Sequence, residues 1–167
     1  MTDKAVCLRR IEKADIWQLW EWHSIDSLYL FGEFDTTLSF DFLIDNFENY
    51  FNGHKDFVIE DNKNKIIGVC SFHNFFFENR TCDLSIRFKE DDIKKNVLLN
   101  ILQHIIGLLF DEMNIRKITT KLVEGTAFEL EILKEVGFCL EGVLREHIYK
   151  NGSYFDTLVF SLIKRIN

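Results

Sequence analysis

Residues 136–163 read VGFCLEGVLREHIYKNGSYFDTLVFSLI, and the periodicity changes twice within them. Ahead of Gly137 the apolar positions of Ala127 to Val136 recur at helical spacing, and a glycine at that point is a helix stop. Beyond it, Val143 to Lys150 and Tyr154 to Ile163 are rich in β-branched and aromatic residues. Asn151-Gly152 lies between these two runs, and both residues tolerate the positive φ that a two-residue hairpin turn demands. The carboxyl-terminal part therefore reads helix, strand, tight turn, strand.

Working outward, Ile118 to Val123 is a strand, and Asp92 to Met113 is a long helix carried by Ile93, Val97, Leu98, Ile101, Leu102, Ile105, Leu109 and Phe110. Thr81 to Phe88 alternates, with Cys82, Leu84, Ile86 and Phe88 on one face and Asp83, Ser85 and Arg87 on the other. Phe57 to Glu60 and Lys65 to Phe72 flank the polar turn Asp61 to Asn64, a second hairpin. Nearer the amino terminus, Val6 to Ile11 is a strand and Asp15 opens a helix with Ile16, Leu19, Trp20 and His23 on one side. Ser39 is the expected N-cap of another helix, burying Phe40, Phe42, Leu43, Phe47 and Phe51. The order is β-α-α-β-β-β-α-β-α-β-β, with no repeat or linker, so the 167 residues are expected to form a single α/β domain.

Composition narrows the function classes. The formal net charge of −7 opposes a nucleic-acid partner, which needs a basic surface to displace counterions, and suits a cationic substrate. Cys7, Cys70, Cys82 and Cys139 form no C-x-x-C pair, and the five histidines have no ligand spacing, so no metal is expected. Neither an apolar leader nor an 18-residue apolar run is seen, so no membrane partner and a cytoplasmic location are expected. Seventeen phenylalanines are present. For the run Phe75-Phe76-Phe77, packing in the core or at a strand edge is preferred over an exposed sticky patch.

Several segments, in order and at matching spacing, resemble one family. Leu8-Arg9-Arg10 with Asp15 resembles its opening strand-to-helix entry, and Phe57 to Glu60 with Ile67-Gly68 its central hairpin. Gly137-Phe138, Glu141-Gly142 and Leu144-Arg145 resemble the run after its last helix, and Asn151 to Asp156 its closing hairpin. The family is the GNAT N-acetyltransferases, and the likeness leans to the ribosomal-protein and polyamine branches. It implies a mixed central sheet of about seven strands flanked by about four helices, with the strands ending at Phe88 and starting near Lys117 parallel and splayed. It also implies acetyl-CoA as co-substrate, its pantetheine lying between the splayed strands and its pyrophosphate at the amino terminus of the long helix.

The resemblance assigns residues as well. Asp83 takes the place of a strand carboxylate that holds the attacking amine or its water, and its neighbours Leu84 and Ile86 would half-bury it, which favours proton handling. His73 stands where a base can act near neutral pH, and Tyr149 can supply a phenol acid. Toward the cofactor the corresponding positions are Ile86, Phe88, Lys94, Lys95, Asn96 and Thr126. Here the chain departs from the family. Its phosphate loop, Gln/Arg-x-x-Gly-x-Gly/Ala, corresponds to Ile93 through Leu98, and no glycine occurs between Gly68 and Gly107. Leu98 adds bulk where the family has none, and Glu90, Asp91 and Asp92 would repel phosphate while Lys94 and Lys95 partly offset them. A usual thiolate acid of the last helix is replaced by Leu133, which has no proton to donate.

Two functions emerge as expectations. The first is acetyl transfer from acetyl-CoA to a primary amine (a polyamine, another small amine or a protein N-terminus), with Glu33 and Asp35 favouring a polycation. The second is a catalytically degenerate binding or sensor module with weak or no acyl-CoA binding. A homodimer is compatible with either.

Overall fold

The computed structural model describes residues 6–26, 39–51, 55–88, 95–124, 127–150 and 152–165. Seven strands form one hydrogen-bonded sheet in the order β1-β2-β3-β4-β5-β7-β6. They are β1 (Cys7–Arg10), β2 (Lys55–Glu60), β3 (Ile66–Phe76), β4 (Thr81–Phe88), β5 (Lys117–Val123), β6 (Cys139–Lys150) and β7 (Ser153–Ile163). The helices are α1 (Ile16–Asp26), α2 (Phe40–Asp45), α3 (Phe47–Phe51), α4 (Lys95–Gly107) and α5 (Ala127–Val136). The sheet is mixed: β4 and β5 are parallel, while β1 with β2, β5 with β7 and β6 with β7 are antiparallel.

The chain divides into two compact units, residues 1–71 with 86–91, and residues 72–85 with 92–167, and β3 and β4 contribute to both. In the first unit, Leu19, Val58, Ile66 and Val69 cluster with Ile11 beside them, and Ile16 and Leu43 gather Trp20, Phe40, Ile44 and Phe47. Arg9 is central to this unit. Its guanidinium donates to both oxygens of Asp15 at 2.7 and 2.9 Å and, through Nε, to Glu60 at 2.9 Å. Asp15 also accepts from the Glu12 N–H at 2.8 Å, which sets the 3-10 turn that leads into α1. Burial pushes the Asp15 carboxyl up, but the Arg9 and Glu12 hydrogen bonds outweigh it and hold the group below its ordinary value.

Where one helix was expected after Ser39, there are two. Ser39 does cap α2, its Oγ accepting from Phe42 N–H at 3.1 Å. The helix then breaks at Asn46, whose backbone N–H and side-chain amide both donate to the Phe42 carbonyl. An asparagine that competes for a carbonyl in this way is a helix terminator. Phe42, expected on the buried side, is instead 45% exposed.

In the second unit α4 presents Leu98, Ile101, Leu102 and Ile105 to the interior, and Leu109 continues the stripe through a π turn at Leu108–Glu112. Each such side chain contributes about 2 kcal/mol by leaving water. Lys164 ties the π turn down through the Phe110 carbonyl and Asp111. Helix α5 spans the residues expected and ends at Gly137, whose φ of +103° few other residues adopt; Phe138 N–H closes the turn on the Leu133 carbonyl at 2.9 Å. Strand β6 runs four residues earlier than expected and carries register shifts at 140–142 and 144–148. The pairing of β7 with β5 begins at Thr157, so Ser153, Tyr154 and Phe155 pair with β6 in a two-stranded overhang. Among the described residues no helix is long and apolar enough to cross a membrane.

Candidate active site

The parallel pair at the centre of the second unit is set at its start by Arg80. Its carbonyl accepts from the N–H groups of Arg116 and Lys117. That fixes the register Thr81↔Lys117, Cys82↔Ile118 and Asp83↔Thr119, a parallel ladder of three pairs among the described residues. Strand β5 continues beyond it to Val123, paired with β7. Asp83 thus stands at the last rung. Its neighbours Cys82 and Leu84 are 1% and 2% exposed, which turns Asp83 to the opposite face, where it is half-buried.

On β3, His73 is half-buried and Asn74 adopts φ +50°, a left-handed residue inside a strand. The Asn74 amide donates to Asp83 Oδ2 at 2.8 Å. Here sequence reasoning missed a residue: it singled out Asp83 and His73 and gave Asn74 no role of its own. The available signal was that asparagine tolerates a left-handed bulge, while its partner depended on the register between strands.

Tyr149 lies in the β6–β7 overhang, 60% exposed, its ring tilted against Tyr154 with centroids 4.9 Å apart. Ile86 and Phe88 are half-buried strand residues of β4. Lys94, Thr126, the carboxylates Glu90 to Asp92 and the acidic pair Glu33 and Asp35 lie outside the described residues. Lys95 and Asn96 are in α4. The Lys95 ammonium sits 2.6 Å from Glu131 and 2.7 Å from Glu135 of α5, and these bonds raise its pKa. Asn96 is exposed. Leu98, expected to crowd a phosphate loop, is 6% exposed and belongs to the interior stripe of α4. Its bulk is turned to the interior, while Asn96 is open to solvent.

Phe75 stacks on Phe77 at 5.6 Å, and Phe76 and Phe77 are 59% and 69% exposed. For Phe76 and Phe77 this corrects the expectation of packing in the core or at a strand edge, because β3 extends to Phe76 and carries the run out to the hairpin tip. Among the described residues no three His, Cys, Asp or Glu side chains group as metal ligands.

A mixed seven-stranded sheet with a short parallel ladder, and an amphipathic helix joining the parallel strands, defines an α/β architecture. A profile of the acetyltransferase (GNAT) domain matches residues 8–159, and the chain belongs to that family. An uncharacterized N-acetyltransferase, YoaA, of Bacillus subtilis is 23% identical over 100 residues, covering 60% of this chain and 56% of that protein. The spermidine N(1)-acetyltransferase of Vibrio cholerae is 24% identical over 105 residues, 63% of this chain and 61% of its own length. The chain thus spans less than two thirds of either relative. In structure, spermidine N-acetyltransferase from Vibrio cholerae in complex with CoA and spermine superposes with a TM-score of 0.83 at 21% identity, covering 95% of both chains.

Proposed function

We propose that this chain acts as one domain that transfers an acetyl group from acetyl-CoA to a primary amine, with a polyamine as acceptor. The observation that carries this is Asp83 on the last rung of the parallel ladder, in a chain whose family match spans 8–159. An amine is protonated at neutral pH and attacks a thioester only after losing that proton. Asp83, half-buried and hydrogen-bonded, receives the proton directly or through a water, and His73 on the adjoining strand is the second candidate base. Tyr149 is the candidate acid for the departing thiolate. The exposed side of the α4 amino-terminal turn, with Asn96, holds the co-substrate's phosphates through backbone N–H groups. A polyamine acceptor is supported by the net charge of −7 and by the spermidine acetyltransferases among the similar proteins.

The test is release of free thiol from acetyl-CoA in the presence of spermidine, spermine or a lysine peptide, with the acetylated product identified by mass spectrometry. Alongside it, acetyl-CoA at about a hundred times its dissociation constant stabilises a binding protein by about 2.7 kcal/mol, which a melting curve registers. Thiol release only with polyamines is the expected result. A folded protein with neither thiol release nor a melting shift belongs to the alternative reading, a degenerate binding module.

A further inference from the structure

We infer that Asn74 is a positioning residue for Asp83, an inference that rests on the acetyltransferase reading above. Strand β3 is regular up to Phe72, and a φ of +50° at Asn74 interrupts it two residues before its end. A left-handed residue inside a strand breaks the local alternation and re-aims the side chain it carries. Here the re-aimed amide reaches across to β4 and donates to Asp83 Oδ2 at 2.8 Å. Glycine would serve the backbone alone at least as well, so the backbone does not explain the asparagine; the amide does. An NH2 group can only donate, so it meets a lone pair of the carboxylate and fixes its rotation. Among the described residues no hydrogen bond to Asp83 Oδ1 is seen, and that oxygen is an acceptor open to an incoming ammonium or water. The exposed Asn74 and half-buried Asp83 make a pair open on one side, as an acceptor site must be.

Three variants test this. Asn74→Gly keeps the left-handed backbone and deletes only the amide; turnover is expected to fall about tenfold, with the KM for acetyl-CoA and the melting temperature near wild type. Asp83→Asn is expected to fall at least as far, and the double variant no further than Asp83→Asn, since the two residues act as a unit. Asn74→Asp places a second carboxylate against Asp83, and like charges disfavour ionisation. The acidic limb of its pH–rate profile should therefore move to higher pH, with activity recovering in alkaline buffer. An active wild type matched by Asn74→Gly, or losses that simply multiply in the double variant, overturns the inference. A wild type that releases no thiol is a different result, which fails the functional reading and removes this inference with it.

Discussion

Arg9 binds two carboxylates at once, and that makes the first unit sensitive to acid. Asp15 is held below its ordinary value of 3.8, so its contribution is fully present above about pH 4 and is lost as pH falls through the lowered folded value. Arg9 stays charged throughout, its own value raised by the Asp15 hydrogen bond. Asp15→Asn is expected to cost about 2 kcal/mol at pH 7, the range for hydrogen bonds to charged groups. Urea denaturation at pH 7 and pH 3 checks this: the gap between wild type and variant should shrink at pH 3, and an equal gap at both would remove the carboxylate's charge from the account. Individual residues of this kind were partly readable beforehand. Arg9 and Asp15 stood out because they match the family's strand-to-helix entry, and Asp83 because it takes the place of the family's strand carboxylate on the polar face of β4. Glu60, Glu131 and Glu135 did not, because their partners come from elements distant in sequence.

Elements were readable where periodicity was strong, and the departures have local causes. Helix α5 and strand β4 have the expected bounds, since a glycine stop and a clean alternation leave little freedom. The chain has no proline, and asparagine shapes its backbone instead: Asn64, Asn74 and Asn114 all take positive φ. The turn at Asn64 was anticipated; Asn74 was not, because a left-handed asparagine within a strand looks like any other strand residue. Strand β7 holds one testable flaw. The hydroxyl of Thr157 is buried and has no hydrogen-bond partner among the described residues. Thr157→Val keeps the shape and removes the unsatisfied group, so stability should rise by about 1 kcal/mol. A urea midpoint that fell instead would point to a partner for that hydroxyl.

The molecule as a whole combines a strongly acidic charge with a proposed anionic co-substrate, and the contact between α4 and α5 sharpens that conflict. Glu131 and Glu135 occupy the Lys95 ammonium, so less of its charge reaches a phosphate bound at α4. Replacing both glutamates by glutamine should tighten acetyl-CoA severalfold in low-salt calorimetry, and the gain should fade in high salt, where exposed charges are screened. Unchanged affinity at low salt would place the phosphates away from Lys95. The overall order of strands and helices was readable because each hairpin and helix stop constrains its neighbours. The charge traffic between helices was not, since it depends on which faces meet.

The overhang of the terminal hairpin has a consequence in time. From Lys117 to Val123, β5 backs β7, so Thr157 to Ser161 sit in a ladder with strands on both sides. Among the described residues Ser153, Tyr154 and Phe155 pair with β6 alone, and the register shift between Leu144 and Ile148 separates that stretch from the rest of the pairing. A two-stranded ribbon is marginal in water, and local opening starts where the backing is weakest. Amide hydrogens of Tyr149 and Tyr154 should therefore exchange with solvent well before those of Leu158 and Phe160. The candidate acid Tyr149 would then ride on a stretch that opens before the backed part of β7 does. Equal protection along the whole hairpin, measured by hydrogen–deuterium exchange, would show instead that something other than β5 backs the tip.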